Sequence, residues 1–192
     1  MIAILKYNAG NVASVKNAIN LLGYNSVITN NAEILRSAEK VIFPGVGEAS
    51  SAMNYLIENG LDDVLKSLRQ PVLGICLGMQ LLCEYSEEGN TKGLGIFNTK
   101  VLKFPPKDIV PQMGWNNFTE VKGNLFHNIH INNDCYFVHS YYAAICAETI
   151  AVTDYILPFS AALQKNNFYA TQFHPEKSAQ TGLQILKNFL SI

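Results

Sequence analysis

Three side chains, far apart in the chain, have the types that an acyl-transfer relay needs: a thiol, an imidazole and a carboxyl. The thiol is Cys76, in the stretch PVLGICLGMQLL from Pro71 to Leu82, where an apolar run ends and a helix-like apolar pattern begins. Strand, tight turn, helix is the arrangement that holds a nucleophile outward on a strained corner. Gly74 is expected to let the backbone pack closely below the turn, and Gly78 to keep the first helical turn clear of a side chain that would block the thiol. A helix N-terminus presents unpaired N–H groups and partial positive charge, which favour thiolate over thiol. The N–H of Leu77 would face any oxygen that develops charge beside the sulfur, giving half of an oxyanion hole. The motif G-x-C-x-G is short, and by itself it also suits a structural cysteine at a strand end.

A thiolate nucleophile needs a base, and the base needs an orienting group. The chain offers His127, His130, His139 and His174. In YATQFHPEKS, His174 and Glu176 flank Pro175, which disfavours helix and favours an extended segment. In an extended chain, residues i and i+2 share a face, so Glu176 can hold the imidazole in the useful tautomer. His139, in YFVHSYY, lies inside a strand pattern with Tyr141 where a carboxylate would be needed, and reads as a satisfied core or substrate-lining histidine. His127 and His130 lack cysteine or acidic neighbours at ligand spacing, so no metal is expected. The third candidate element is FPGVGE, Phe43 to Glu48, a strand-to-helix turn whose Val46 or Gly47 N–H could serve the same oxyanion. It carries neither G-x-G-x-x-G nor a P-loop Lys-Ser/Thr, which disfavours a nucleotide.

The elements that must position these groups alternate. MIAILKY, NSVIT, AEKVIFPG and PVLGIC read as buried strands, and NVASVKNAINLLGY and LGMQLLCEY as helices. EASSAMNYLIENGLDDVLKSLRQ reads as helical with an interruption near Gly60. The second half changes character: GIFNTKVLKF, CYFVHSYYAAI, FSAALQKNN and FYATQFH are closely spaced strands, with QKNN suited to a hairpin turn. KFPPKDIVPQMGW is the most loop-like segment, because Pro105, Pro106 and Pro111 deny it regular ladders. A last helix, SAQTGLQILKNFLSI, carries Leu183, Leu186 and Leu190 on one face. The expected fold is α/β: a single domain over residues 1–192, with a mostly parallel central sheet flanked by helices and added antiparallel strands in the C-terminal half.

Composition narrows the partners. The 192 residues are 48% hydrophobic and 15% charged, with 14 Lys plus Arg against 15 Asp plus Glu and no run of like charge. That balance gives no reason to expect nucleic acid or an anionic membrane. The N-terminal apolar run is too short for a signal peptide or a spanning helix, so a cytoplasmic protein is expected. The remaining cysteines, Cys83, Cys135 and Cys146, form no C-x-x-C pair and read as reduced packing residues.

Taken together, GICLGMQ, FHPEKS and PGVGE resemble the class I, triad-type glutamine amidotransferases, nearly end to end. PGVGE, PQMGWN and YFVHSYY are most similar to the glutaminase subunits that work in imidazole glycerol phosphate synthesis, in the histidine pathway. The resemblance implies that Cys76 is the nucleophile, His174 the base and acid, and Glu176 the orienter, with oxyanion donors from Leu77, Val46 and Gly47. It implies that Gly47, Gln80 and the His139–Ser140–Tyr141 backbone contact L-glutamine. It places Met113, Trp115, Tyr136 and Lys177 toward a (βα)8-barrel cyclase that receives ammonia, and it calls for no cofactor. Where the family often has Asp-Tyr-Gly this chain has Lys6-Tyr7-Asn8, and Gln112 replaces a common His. Those departures leave open a glutaminase serving an amidino-sugar pathway, beside one for anthranilate or aminodeoxychorismate. A reactive, redox-sensing Cys76 without glutaminase activity is the non-enzymatic alternative.

Overall fold

A computed structural model describes residues Met1–Ile192. The strands are β1 (Ile2–Leu5), β2 (Ser26–Thr29), β3 (Lys40–Gly45), β4 (Val72–Cys76), β5 (Cys83–Ser86), β6 (Thr91–Lys92), β7 (Phe97–Lys103), β8 (Gln112–Asn116), β9 (Glu120–Val121), β10 (Cys135–His139), β11 (Tyr141–Ala143), β12 (Thr149–Tyr155), β13 (Leu157–Lys165) and β14 (Phe168–Thr171). The helices are α1 (Val12–Leu21), α2 (Ala32–Ser37), α3 (Ala49–Glu58), α4 (Leu61–Ser67), α5 (Leu77–Leu82) and α6 (Ala179–Ser191).

The main sheet runs in the order β2-β1-β3-β4-β14-β13-β11-β7-β5-β6, with β12 and β9 joined beside β13. Its first five strands are mutually parallel, and β14 turns back antiparallel onto β13 through Asn166–Asn167. A small antiparallel pair, β8 with β10, stands apart. This is the expected α/β class, and its physical cause is visible in β1. Ile2 and Ile4 enter one apolar cluster while Ala3 and Leu5 enter the other. A strand covered on both faces needs no polar alternation, which is why MIAILKY reads as an unbroken apolar run. Each of the two clusters holds 28 buried residues.

Helix starts follow local chemistry. Asn11 and Asn31 cap α1 and α2 by accepting from backbone N–H groups. Glu48 does the same for α3 through Ser50 and Ser51 N–H, at 3.0 and 2.8 Å. The expected break near Gly60 is real: that residue adopts φ 65°, a left-handed conformation between α3 and α4.

Some expectations need correction. LGMQLLCEY is not one helix: α5 ends at Leu82, and Cys83–Ser86 pairs in parallel with β7. Pairing at the sheet edge overrides the local helical period. CYFVHSYYAAI is two strands in two different sheets, broken at Ser140. The loop-like KFPPKDIVPQMGW is irregular only in its middle, because Gln112–Asn116 finds a partner in β10. Helix α2 and strand β12 stand outside the elements expected from the sequence.

Candidate active site

Strands β3, β4 and β14 are parallel neighbours, so their C-terminal ends reach the same edge of the sheet. Cys76 ends β4, the Val46–Gly47 turn follows β3, and Phe173–His174 follows β14. Topology alone therefore brings together segments that lie about a hundred residues apart.

At the corner, Cys76 has φ 54° and ψ −110°, a conformation that costs a non-glycine residue on the order of 1–3 kcal/mol. The close packing that holds it there comes from the glycines. A Cβ on Gly74 would lie 2.7 Å from a Leu82 methyl, in keeping with the expected tight approach. Gly78 has a different reason from the one expected. A Cβ there would sit 1.9 Å from the Phe43 carbonyl oxygen, so this glycine lets α5 press against β3 rather than clearing a path to the thiol.

His174 and Glu176 are joined by Nδ1 and Oε1 at 2.8 Å, with both side chains almost wholly buried. They meet through a 3-10 turn over Pro175–Lys177, not through the extended segment expected from Pro175. That turn is stitched to β10: His174 N–H donates to the Tyr136 carbonyl at 2.9 Å, and Ser178 Oγ accepts from Tyr136 N–H at 2.9 Å. Burial is the largest influence on the His174 imidazole and would lower its pKa. The Cys76 sulfur and the Glu176 carboxylate outweigh it and raise the pKa to about 10. His174 therefore holds a proton through neutral pH, and the groups that keep it there are the Cys76 sulfur on one side and the Glu176 carboxylate on the other. The other ring nitrogen, Nε2, is buried with no hydrogen-bond partner.

Cys76 and His174 open onto a cavity of about 310 Å³, whose wall includes Val46, Gly47, Leu77 and Gln80. His139, Ser140 and Tyr141 also line it. The N–H groups of Val46 and Gly47 make no intramolecular hydrogen bond, so they remain available to a ligand. Glu176 lies behind the imidazole and outside the cavity wall. No group of three or more His, Cys, Asp or Glu side chains is placed to hold a metal ion.

Four residues that sequence reasoning gave no positive role complete the site. Glu88 supplies the one carboxylate on the cavity wall, where it accepts from Ala49 N–H at 2.9 Å. Its pKa is raised, chiefly by burial. Gln172, fully buried just past β14, reaches the Cys76 sulfur with Nε2 at 3.8 Å. Tyr7 packs on Phe43 and points a buried, unpartnered hydroxyl at Gly45. Gln112 bonds to His139 at 2.9 Å. Burial lowers the His139 pKa to about 4, so the ring is neutral. Nδ1–H donates to the Tyr141 carbonyl at 2.7 Å. Nε2 then carries a lone pair, and the Gln112 amide must turn its NH2 toward it. None of these contacts could be found without the fold, since each links separate elements.

The residues expected to face a partner also gather. Trp115 and Tyr136 are cross-strand partners in the β8–β10 pair, with ring centroids 6.0 Å apart. Lys177 Nζ stands 5.9 Å above the Tyr136 ring. Met113 and Trp115 are 66% and 56% exposed, an unusual degree for such large apolar groups side by side on one strand.

Comparison with known proteins agrees with this arrangement. The family described as "Glutamine amidotransferase class-I" matches residues 4–192. The chain is 56% identical to the imidazole glycerol phosphate synthase subunit HisH of Bacteroides fragilis, over 100% of this chain and 99% of the relative. It is also 56% identical, with the same coverage, to the protein of that name in Bacteroides thetaiotaomicron. A solved glutamine amidotransferase shares the fold at a TM-score of 0.75 and 19% identity, covering 99% of this chain and 97% of that one. A thiol on a strained strand end, a buried His–Glu pair behind it and a family match over nearly every residue lead to one assignment: the chain belongs to the class I glutamine amidotransferases.

Proposed function

We propose that this chain is the glutaminase subunit of an imidazole glycerol phosphate synthase, hydrolysing L-glutamine and passing ammonia to a cyclase partner. The observation that carries the reading is full-length identity of 56% to proteins of that name, in a chain that keeps Cys76, His174 and Glu176 together.

The chemistry follows from the site. Glu88 is the carboxylate that would meet the substrate's α-ammonium, placing the side-chain amide over Cys76. The Cys76 thiolate attacks the amide carbon, forming a C–S bond. The carbonyl oxygen becomes an oxyanion and accepts from the N–H groups of Leu77, Val46 or Gly47. His174, protonated at the outset, gives its proton to the leaving nitrogen as the C–N bond breaks, releasing ammonia and leaving a glutamyl thioester. Neutral His174 then takes a proton from water as the hydroxide adds to the thioester carbon. That proton restores the imidazolium, and loss of the thiolate from the tetrahedral adduct yields glutamate. Glu176 holds the ring with Nδ1–H toward itself, so that Nε2 faces the reacting atoms.

Ammonia freed into water would be protonated and lost as a nucleophile, so the site requires a receiver. A (βα)8-barrel cyclase docked over Met113, Trp115, Tyr136 and Lys177 fits that need. The same reading makes the protein cytoplasmic. No helix is long and apolar enough to cross a membrane. Glutamate release assayed with and without the cyclase and its nucleotide ligand tests the whole proposal. Hydrolysis should be slow alone, accelerate with the partner and vanish in Cys76→Ala; undiminished turnover by that variant refutes it.

A further inference from the structure

Besides His174, the Cys76 sulfur has two polar neighbours of opposite character. The Val138 carbonyl oxygen, an acceptor, is 3.9 Å away, and Gln172 Nε2, a donor, is 3.8 Å away. The thiol form can give its proton to Val138. Of these two neighbours the thiolate form can accept only from Gln172, which acts beside the His174 imidazolium, and a charge-assisted contact of that kind shortens and strengthens. Which end of the Gln172 amide faces the sulfur therefore bears on which form is favoured.

That orientation is set at a distance. A backbone carbonyl can only accept, so Gln80 must turn Nε2 toward the Tyr141 oxygen, which it does at 3.0 Å. The same nitrogen donates to Gln172 Oε1 at 2.9 Å. With its oxygen held there, Gln172 can present only its NH2 to Cys76. The Gln172 backbone is itself pinned, its N–H donating to the Ala161 carbonyl at 2.8 Å. We infer that Gln172 is a further catalytic residue, a thiolate donor whose polarity is imposed by a relay running from the Tyr141 carbonyl through Gln80. The inference rests on Cys76 being the nucleophile, though not on glutamine being the substrate. The Tyr141 carbonyl also receives His139 Nδ1–H, so both of its lone pairs are occupied and the relay has a fixed origin.

The test is the rate at which iodoacetamide alkylates Cys76, read on its own peptide by mass spectrometry, in wild type, Gln172→Met and Gln80→Met. Methionine keeps an unbranched side chain of similar length, adapts to irregular packing and donates no hydrogen bond. At pH 7, Gln172→Met should react about five- to ten-fold more slowly. Gln80→Met, which frees the Gln172 amide to turn over, should be at least two-fold slower. In both, the deficit should disappear at strongly alkaline pH, where thiols in general react as thiolates. A folded Gln172→Met that reacts within two-fold of wild type at pH 7 overturns the inference. So does a deficit that persists at high pH, which would mean altered access to the sulfur. Should Gln172→Met not fold, Gln80→Met decides by the same limits. Because alkylation needs no glutamine, a chain that proves inactive on glutamine can still pass or fail this test.

Discussion

Between Gln112 and the Tyr141 carbonyl, His139 is buried as a neutral ring. Its pKa falls from 6.5 to about 4, and burial is the main cause. In the unfolded chain the same ring takes up a proton near pH 6.5, so the unfolded state binds more protons between those values and folding stability rises with pH there. The contribution is fully present above about pH 6.5 and lost as pH falls to about 4, amounting to about 3 kcal/mol. Melting temperatures measured from pH 7 to 4 should fall more steeply for the wild type than for His139→Gln; parallel curves would contradict this. The Tyr7 hydroxyl is a simpler case. It is buried without a partner, so Tyr7→Phe removes a polar group that gains nothing from the fold. Chemical denaturation should find that variant as stable as wild type or about 1 kcal/mol more stable. At this scale the proposed triad could be read from residue types, because thiol, imidazole and carboxyl chemistry is carried by the side chains themselves. What kept Glu88, Gln172 and Gln112 hidden is that a carboxylate or an amide has no distinctive role until its neighbours are known.

Two glycines show how elements are held against the site. A Cβ on Gly182, in the first turn of α6, would lie 1.9 Å from the Pro175 carbonyl oxygen, so that helix rests directly on the turn carrying His174 and Glu176. Gly182→Ala must push the turn or the helix aside, at a cost of about 1–3 kcal/mol. Since the displaced turn carries the proposed base, His174, glutamine turnover should drop by at least tenfold with KM little changed, as steady-state kinetics would report. Gly78→Ala meets the Phe43 carbonyl at the same distance and should lower the melting temperature through the β3–α5 contact. The alternation of strands and helices in the first half was plain from the apolar patterns, as was the hairpin at Asn166–Asn167. The end of α5 was not, because Cys83–Ser86 is drawn into β5 by β7, a strand more than ten residues further along. Likewise, His174 and Glu176 face together through a 3-10 turn whose Gly182 backing lies outside any local window.

Over the whole molecule, the parallel half of the sheet delivers the reactive groups to one edge, and the β8–β10 pair forms a wall beside them. Val138 and His139 of β10 line the cavity, while Tyr136 of the same strand packs with Trp115 and Lys177 beside the exposed Met113. One short strand thus connects the site to the surface on which a cyclase is proposed to dock. Trp115→Ala removes the largest exposed aromatic of that surface and should weaken association with the cyclase by at least tenfold in calorimetric titration, about 1.4 kcal/mol. Unchanged affinity would move the docking surface elsewhere.

By itself the sequence determined the class of fold, the strained cysteine corner, the pairing of His174 with Glu176, and the family. These depend on periodicity, on glycine and proline placement and on intrinsic side-chain reactivity, all of which act over a few residues. Only the tertiary structure decided that the Gln172 amide faces the sulfur, that Glu88 enters the cavity and that Gln112 neutralises no charge but satisfies His139. Each of those depends on which strands become neighbours and in what register, and that outcome belongs to the packing of both sheet faces at once.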